Sequence, residues 1–144
     1  DMITAGARHT CGRTGEGAAF CWGANNSRLG NGESESSTTA VPVAGGHVFE
    51  AIDAGVHHTC GINTNGELFC WGYNDNRELG DGTTNSASVP VLAAGGVRFR
   101  DVIAGAYFTV AITENDDVWL WGGPVSNDTS EPGFTKRILV KGVP

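Results

Sequence analysis

Residues 54–72 read Ala-Gly-Val-His-His-Thr-Cys-Gly-Ile-Asn-Thr-Asn-Gly-Glu-Leu-Phe-Cys-Trp-Gly, and this stretch decides the fold because the chain contains versions of it three times. Ala5-Gly6 lies 49 residues before Ala54-Gly55, and Ala104-Gly105 lies 50 residues after it. Each opening leads to a threonine (Thr10, Thr59, Thr109) and then to a Trp-Gly pair (Trp22-Gly23, Trp71-Gly72, Trp121-Gly122). The first two copies also share Thr-Cys-Gly at 10–12 and 59–61, and Phe-Cys-Trp-Gly at 20–23 and 69–72. A fixed period of this length indicates a propeller, a solenoid or an array. Repeats at approximately 1–50, 51–100 and 101–144 fill the chain as one repeat domain, with the third degenerate after residue 122.

Within the quoted stretch, the spacing predicts a hairpin: a strand to Asn63, a loop Thr64-Asn65-Gly66, and a return strand from Glu67. Three-residue hairpin loops want a left-handed residue at their last position, which Gly66 supplies and Gly17 supplies in the first copy. That register sets Ile62 against Leu68, Cys60 against Cys70, and Cys11 against Cys21. Directly opposed β-carbons lie about 4.5–5.5 Å apart, close to what a disulfide requires. The third copy replaces both cysteines together, by Val110 and Leu120, as expected of a cross-strand staple. Two buried reduced pairs are the alternative. Disulfides persist in oxidising compartments, so the pairs point to a secreted or cell-surface protein.

His9-Thr10-Cys11 and His57-His58-Thr59-Cys60 bring imidazole and thiol together, as zinc sites and Cys-His nucleophiles do. Zinc ligands usually include cysteines two to four apart, whereas these stand ten apart. A catalytic cysteine would need one special copy, and the first two copies are alike. The third copy has Tyr107-Phe108 where the second has His57-His58, which predicts a wedge of planar side chains. No catalytic residue, metal site or cofactor is expected.

A polar turn follows each Trp-Gly, at 24–32 in the first copy and, one residue longer, at 73–82 in the second. Its Asn-Gly and Asp-Gly pairs favour tight turns. Asn74, Asn76 and Asp81 do not match the spacing of a calcium loop, so a solvated turn is expected. Arg28, Asn74, Asp75, Asn76 and Arg77 are the expected contact residues of these turns. Asn25 and Asn127 each begin a glycosylation sequon. Val41-Pro42-Val43 and Val89-Pro90-Val91 read as edge strands, because proline donates nothing to a ladder. Ile138-Leu139-Val140 stands in for them in the third copy. Phe49–Ile52 and Phe99–Ile103 read as half-buried strands. Each repeat thus offers about four short strands and no helical period. Gly6, Gly55, Gly105 and the three Trp-Gly tryptophans are the framework, with the indoles expected between neighbouring sheets.

The bulk composition fits. With 22 glycines, 40% apolar and 17% charged residues, the chain suits a turn-rich β protein. No apolar run approaches the roughly 20 residues of a membrane-spanning helix, so membrane insertion is not expected. The net charge is −7, and the arginines are scattered rather than set in a stripe. That excludes the basic footprint of a nucleic-acid binder and favours a basic or neutral protein partner.

The unit Ala-Gly-x-His-Thr-Cys-Gly, then Gly-x-x-x-Cys-Trp-Gly-x-Asn, then Leu-Gly-Asp-Gly-Thr and Val-Pro-Val resembles the regulator of chromosome condensation repeat. The resemblance is strongest over residues 1–100 and weakest over 123–144. It implies a β-propeller, usually of seven four-stranded blades, with each repeat straddling two blades. The doubled cysteines resemble its extracellular bacterial branch. Family members include guanine-exchange factors, a plant ultraviolet receptor and a secreted inhibitor of β-lactamases, so the resemblance does not fix a function.

The leading expectation is an all-β partial propeller acting as an extracellular, non-enzymatic module whose loops bind a protein. A structural subunit, joined edge to edge with copies of itself, is the second. Glycan binding through Tyr73, Tyr107 and Trp119 is the third, and guanine exchange the last. Val143-Pro144 ends where the cycle would reach Asp1-Met2-Ile3 again, as expected of either a piece of a longer propeller or an assembling subunit.

Overall fold

The computed structural model describes residues 1–123 and the backbone of 136–138, and its regular structure is β throughout. The first sheet comprises β1 (Met2–Ala5), β2 (His9–Arg13), β3 (Ala19–Gly23) and β4 (Ser37–Pro42). The second comprises β5 (Phe49–Ala54), β6 (His58–Asn63), β7 (Leu68–Gly72) and β8 (Ala87–Leu92). The third comprises β9 (Phe99–Ala104), β10 (Phe108–Thr113), β11 (Val118–Gly122) and β12 (Lys136–Ile138). Each is an antiparallel meander in chain order. These are blades of a propeller, with the first strands of successive blades in contact, β1 with β5 and β5 with β9. Each of the three opening Ala-Gly pairs ends the first strand of a blade, so a repeat counted from one opening to the next spans two blades.

The hairpins follow their local chemistry. Ile62 pairs with Leu68 and Cys60 with Cys70, while Cys11 pairs with Cys21. Both cysteine pairs are disulfides. In the third blade Val110 faces Leu120 at the same register, an apolar pair in place of a covalent one. Gly17 and Gly66 take φ of 87° and 77°, and Asp116 takes the same turn position at 66°. Aspartate tolerates that conformation better than most side chains, and Asp116 there accepts a 2.6 Å ion pair from Arg100.

Pro42 lies in the edge strand β4, and Val89-Pro90-Val91 lies in the edge strand β8. The third blade departs from the expected register. Cys21 and Cys70 pair with Val41 and Val91, but Leu120 pairs with Lys136, and Ile138 reaches Val118. Leu139 and Val140 lie outside the described residues.

The core sits between blades. Cys11, Cys21, Leu29, Phe49, Ile52 and Trp71 form one cluster across the first seam. Cys60, Cys70, Leu79, Phe99, Val102 and Trp121 form its counterpart across the second. Trp71 and Trp121 are fully buried, as expected, whereas Trp22 is only partly buried. The difference has one cause: a tryptophan is sealed by the loop of the blade before it, and the described residues place no blade before the first.

Candidate interaction surface at the loop end of the blades

In an antiparallel meander, alternate connections share an end. The β1–β2, β5–β6 and β9–β10 turns therefore lie beside the long β3–β4 and β7–β8 loops. What holds this end together is a bonding pattern used twice. The carbonyl of Arg28 accepts from Thr59 Oγ1 (3.1 Å) and Trp71 Nε1 (2.9 Å) of the next blade. The carbonyl of Glu78 accepts from Thr109 Oγ1 and Trp121 Nε1, both at 2.8 Å. Each threonine has spent its only hydrogen, so it accepts from the histidine of the preceding copy: His9 Nε2 to Thr59 at 2.7 Å and His58 Nε2 to Thr109 at 2.8 Å. The Nδ1 atoms of both histidines are buried without partners. Burial foremost, with nearby positive charge, lowers their pKa values to about 4 for His9 and about 3 for His58.

The framework glycines act through space. A β-carbon on Gly6 would fall on the carbonyl oxygen of Gly55, and one on Gly55 would fall on that of Gly105. At Gly105 it would meet the ring of Phe108. Backbones of successive blades touch here, and Val56 N donates to Gly105 O at 3.1 Å.

The long loops are organised from within. Asn74, expected as a contact residue, is instead fully buried. Its Nδ2 donates to Asp81 Oδ1, Thr83 O and Asn85 O, and its Oδ1 accepts from Leu79 N. Asn25 does the same in the first copy, donating to the Glu33 and Glu35 carbonyls at 2.9 Å. That corrects the sequon reading, because the nitrogen a glycan would occupy is buried and already bonded. Asn127 lies outside the described residues.

Arg28 and Arg77 look alike in the sequence but occupy different places. The extra residue in the second loop puts Glu78 in the slot of Arg28, and Arg77 takes a left-handed φ of 64° at a half-buried position. Glu78 is fully buried, which raises its carboxyl pKa, while hydrogen bonds from the backbone N and side-chain Nδ2 of Asn76 oppose the rise. Arg28 is also buried, its Nη1 donating to Asn25 O at 2.7 Å. Asp75 and Asn76 are exposed as expected.

The wedge expected of His57-His58 and Tyr107-Phe108 splits in two. His58 and Phe108 lead the strands β6 and β10 at the seam position, whereas His57 and Tyr107 are turn residues. Arg28 Nη2 donates to His57 Nδ1 at 2.8 Å, and the His57 ring lies 5.9 Å from Tyr73 and 5.4 Å from Tyr107. Tyr73 hydrogen-bonds Asp75, which raises the phenol pKa. Tyr73 and Tyr107 are exposed, 39% and 47% respectively, while Trp119 is half-buried and packs edge-on against Phe99. Arg8, the counterpart of His57 in the first copy, is exposed beside them. The sequence reading places His57 in a wedge and names neither Arg8 nor His57 among the contact residues. The available signal was their place in the repeat, where Arg8, His57 and Tyr107 align.

This pattern has known counterparts. Two family models, both described as the regulator of chromosome condensation (RCC1) repeat, match residues 65–112 and residues 3–28 with 49–78. The chain belongs to the RCC1 repeat family. Human WBSCR16 is 18% identical with a TM-score of 0.81, over 93% of this chain and 37% of its own. Yeast RCC1 (Prp20), solved bound to Kap60, is 24% identical with a TM-score of 0.78, over 96% of this chain and 37% of its own. The ectodomain of the Physcomitrella patens receptor kinase CR4 is 28% identical with a TM-score of 0.55, over 83% of this chain and 28% of its own. The chain thus spans little more than a third of the first two relatives. No curated protein matches it. The RCC1 repeats here are the cysteine-paired kind, with the pairs bonded in the first two blades.

Proposed function

We infer that these RCC1 repeats form a non-enzymatic protein-interaction module working in an oxidising, extracellular setting. The observation behind this reading is the division of labour in the long loops. Asn25 and Asn74 hold them from inside, so Tyr73, Asp75, Asn76 and Tyr107 are displayed on loops braced by their own buried amides. Preorganised display lowers the entropic cost of association. Relatives point the same way, since yeast RCC1 is seen with Kap60 and has binding properties to Gsp1p and histones. The two disulfides and the likeness to a receptor ectodomain support the compartment.

The test is a photo-crosslinking residue placed at Asn76, with a control at Glu16 at the opposite end. A defined protein captured at Asn76 alone is expected. Equal capture at both, or turnover lost on changing a single polar residue, would overturn the reading.

A second reading, assembly from copies joined edge to edge, is favoured by one observation. Ile3 is 70% exposed, although its counterparts Ile52 and Val102 are buried, and among the described residues Thr10 and Trp22 have no carbonyl like the one that binds Thr59 and Trp71. At the other end Ile103 and Phe108 are exposed. Sedimentation across a concentration series decides it: reversible growth abolished by Ile3→Glu is expected, and a strictly monomeric chain would remove it.

A further inference from the structure

At the loop end, Arg28, Arg8, His57, Tyr73 and Tyr107 converge from three blades, and their chemistry is one-sided. Arginine only donates, so Arg28 Nη2 fixes His57 Nδ1 as an acceptor and leaves the proton on Nε2. The Arg8 side chain makes no hydrogen bond or ion pair among the described residues, and it is exposed. Arg28 is only 8% exposed, and its buried Nε has no partner. Burial and the charge of Arg8 lower the Arg28 pKa; burial, Arg28 and Arg8 lower that of His57. Two cations thus stand within electrostatic reach of each other, and neither forms an ion pair with a carboxylate among the described residues, in a chain of net charge −7. Asp75 sits beside Tyr73 and is not among the charges acting on Arg28 or His57. Two exposed rings flank the imidazole.

We propose that Arg8 and the Nε2–H of His57, backed by Arg28 and flanked by Tyr73 and Tyr107, dock an acidic segment of a protein partner through one of its carboxylates. The proposal rests on the reading of this end as an interaction surface and specifies the partner's chemistry there. It also narrows the expectation from net charge, since the long-range field favours a basic partner while this spot favours an acid. A carbohydrate fits less well, because its hydroxyl groups need acceptors as well as donors, and these groups supply donors and ring faces. Charge-assisted bonds from guanidinium to carboxylate are the strong ones, and aromatic neighbours suit the apolar residues beside an acidic side chain.

The probe is a rhodamine-labelled peptide, Gly-Glu-Leu-Glu-Tyr-Gly, with a counterpart carrying glutamine for glutamate, titrated by anisotropy against the whole chain. The acidic peptide is expected to bind and to weaken as salt rises. Arg8→Glu and Tyr107→Ser, both exposed positions, should weaken it about tenfold or more, as loss of a direct charge or ring contact does. Arg98→Glu, at the opposite end, should leave it unchanged. No binding of the acidic peptide, equal binding of the glutamine peptide, or indifference to Arg8→Glu overturns the proposal. So does binding of a glucuronate oligosaccharide in place of the peptide. The two readings fail separately. A protein captured at Asn76 that ignores Arg8→Glu keeps the interaction module and removes the acid site. Peptide binding without any captured protein removes the module and leaves the site.

Discussion

At the residue scale, the histidines at the seams set the response to acid. His9 and His58 are held neutral, with pKa values of about 4 and about 3 against 6.5 in the unfolded chain. The unfolded state therefore takes up the proton first. Stability is complete above pH 6.5 and is lost as pH falls below it, down to about 4 for His9 and about 3 for His58. Between pH 6.5 and 5 each histidine should cost about 2 kcal/mol, by linkage with one pKa unit worth about 1.4 kcal/mol. Urea midpoints at pH 7 and pH 5 measure this, and His58→Gln should flatten the difference by about half. A midpoint independent of pH would contradict the buried, neutral assignment. Nothing about His9-Thr10-Cys11 in isolation foretold this role, because the partner of His9 is Thr59, in the next copy.

At the element scale, the strands are held by two devices of different reach. The disulfides close ten-residue hairpins, and the third blade shows which pair replaces them. The double variant Cys60→Val with Cys70→Leu should fold with unchanged circular dichroism and lose about 2–3 kcal/mol in chemical denaturation, the chain-entropy value for so short a loop. Failure to fold would mean that the staple does more than stiffen a preformed hairpin. Gly55 works across elements. An alanine there needs the backbone of Gly105 to move, so Gly55→Ala should cost about 2–3 kcal/mol in the same measurement, although glycine to alanine in a compatible strand often stabilises. The hairpins were legible in the sequence because their turn, register and staple all fall within ten residues. The third-blade edge was not: Lys136–Ile138 pairs in a register that Val-Pro-Val does not foreshadow.

At the scale of the whole molecule, stability is stored at seams, and the tryptophans report on each one. Trp71 is sealed by Gly30 and bonded to Arg28 O, whereas Trp22 is half-buried with no such carbonyl among the described residues. Trp71→Ala should cost about 3–5 kcal/mol, the range for a large core truncation, and Trp22→Ala clearly less. Equal losses in thermal or urea unfolding would mean that the first seam face is covered in solution, as the assembly reading requires. The RCC1 repeat, the four-stranded blade and the cysteine pairing were determined by the sequence itself, since each follows from a short period and local turn chemistry, whereas the burial of each indole waits on the loop of the preceding blade. Only the tertiary structure decided that Asn25 and Asn74 serve their own loops, that one inserted residue seats Glu78 where Arg28 stands, and that Arg28, His57 and Tyr107 meet within the field of Arg8. The first two depend on how an irregular loop folds back on itself, with partners eight to eleven residues apart that follow no strand or turn period, and the last depends on the angle and distance between blades, which no local pattern encodes.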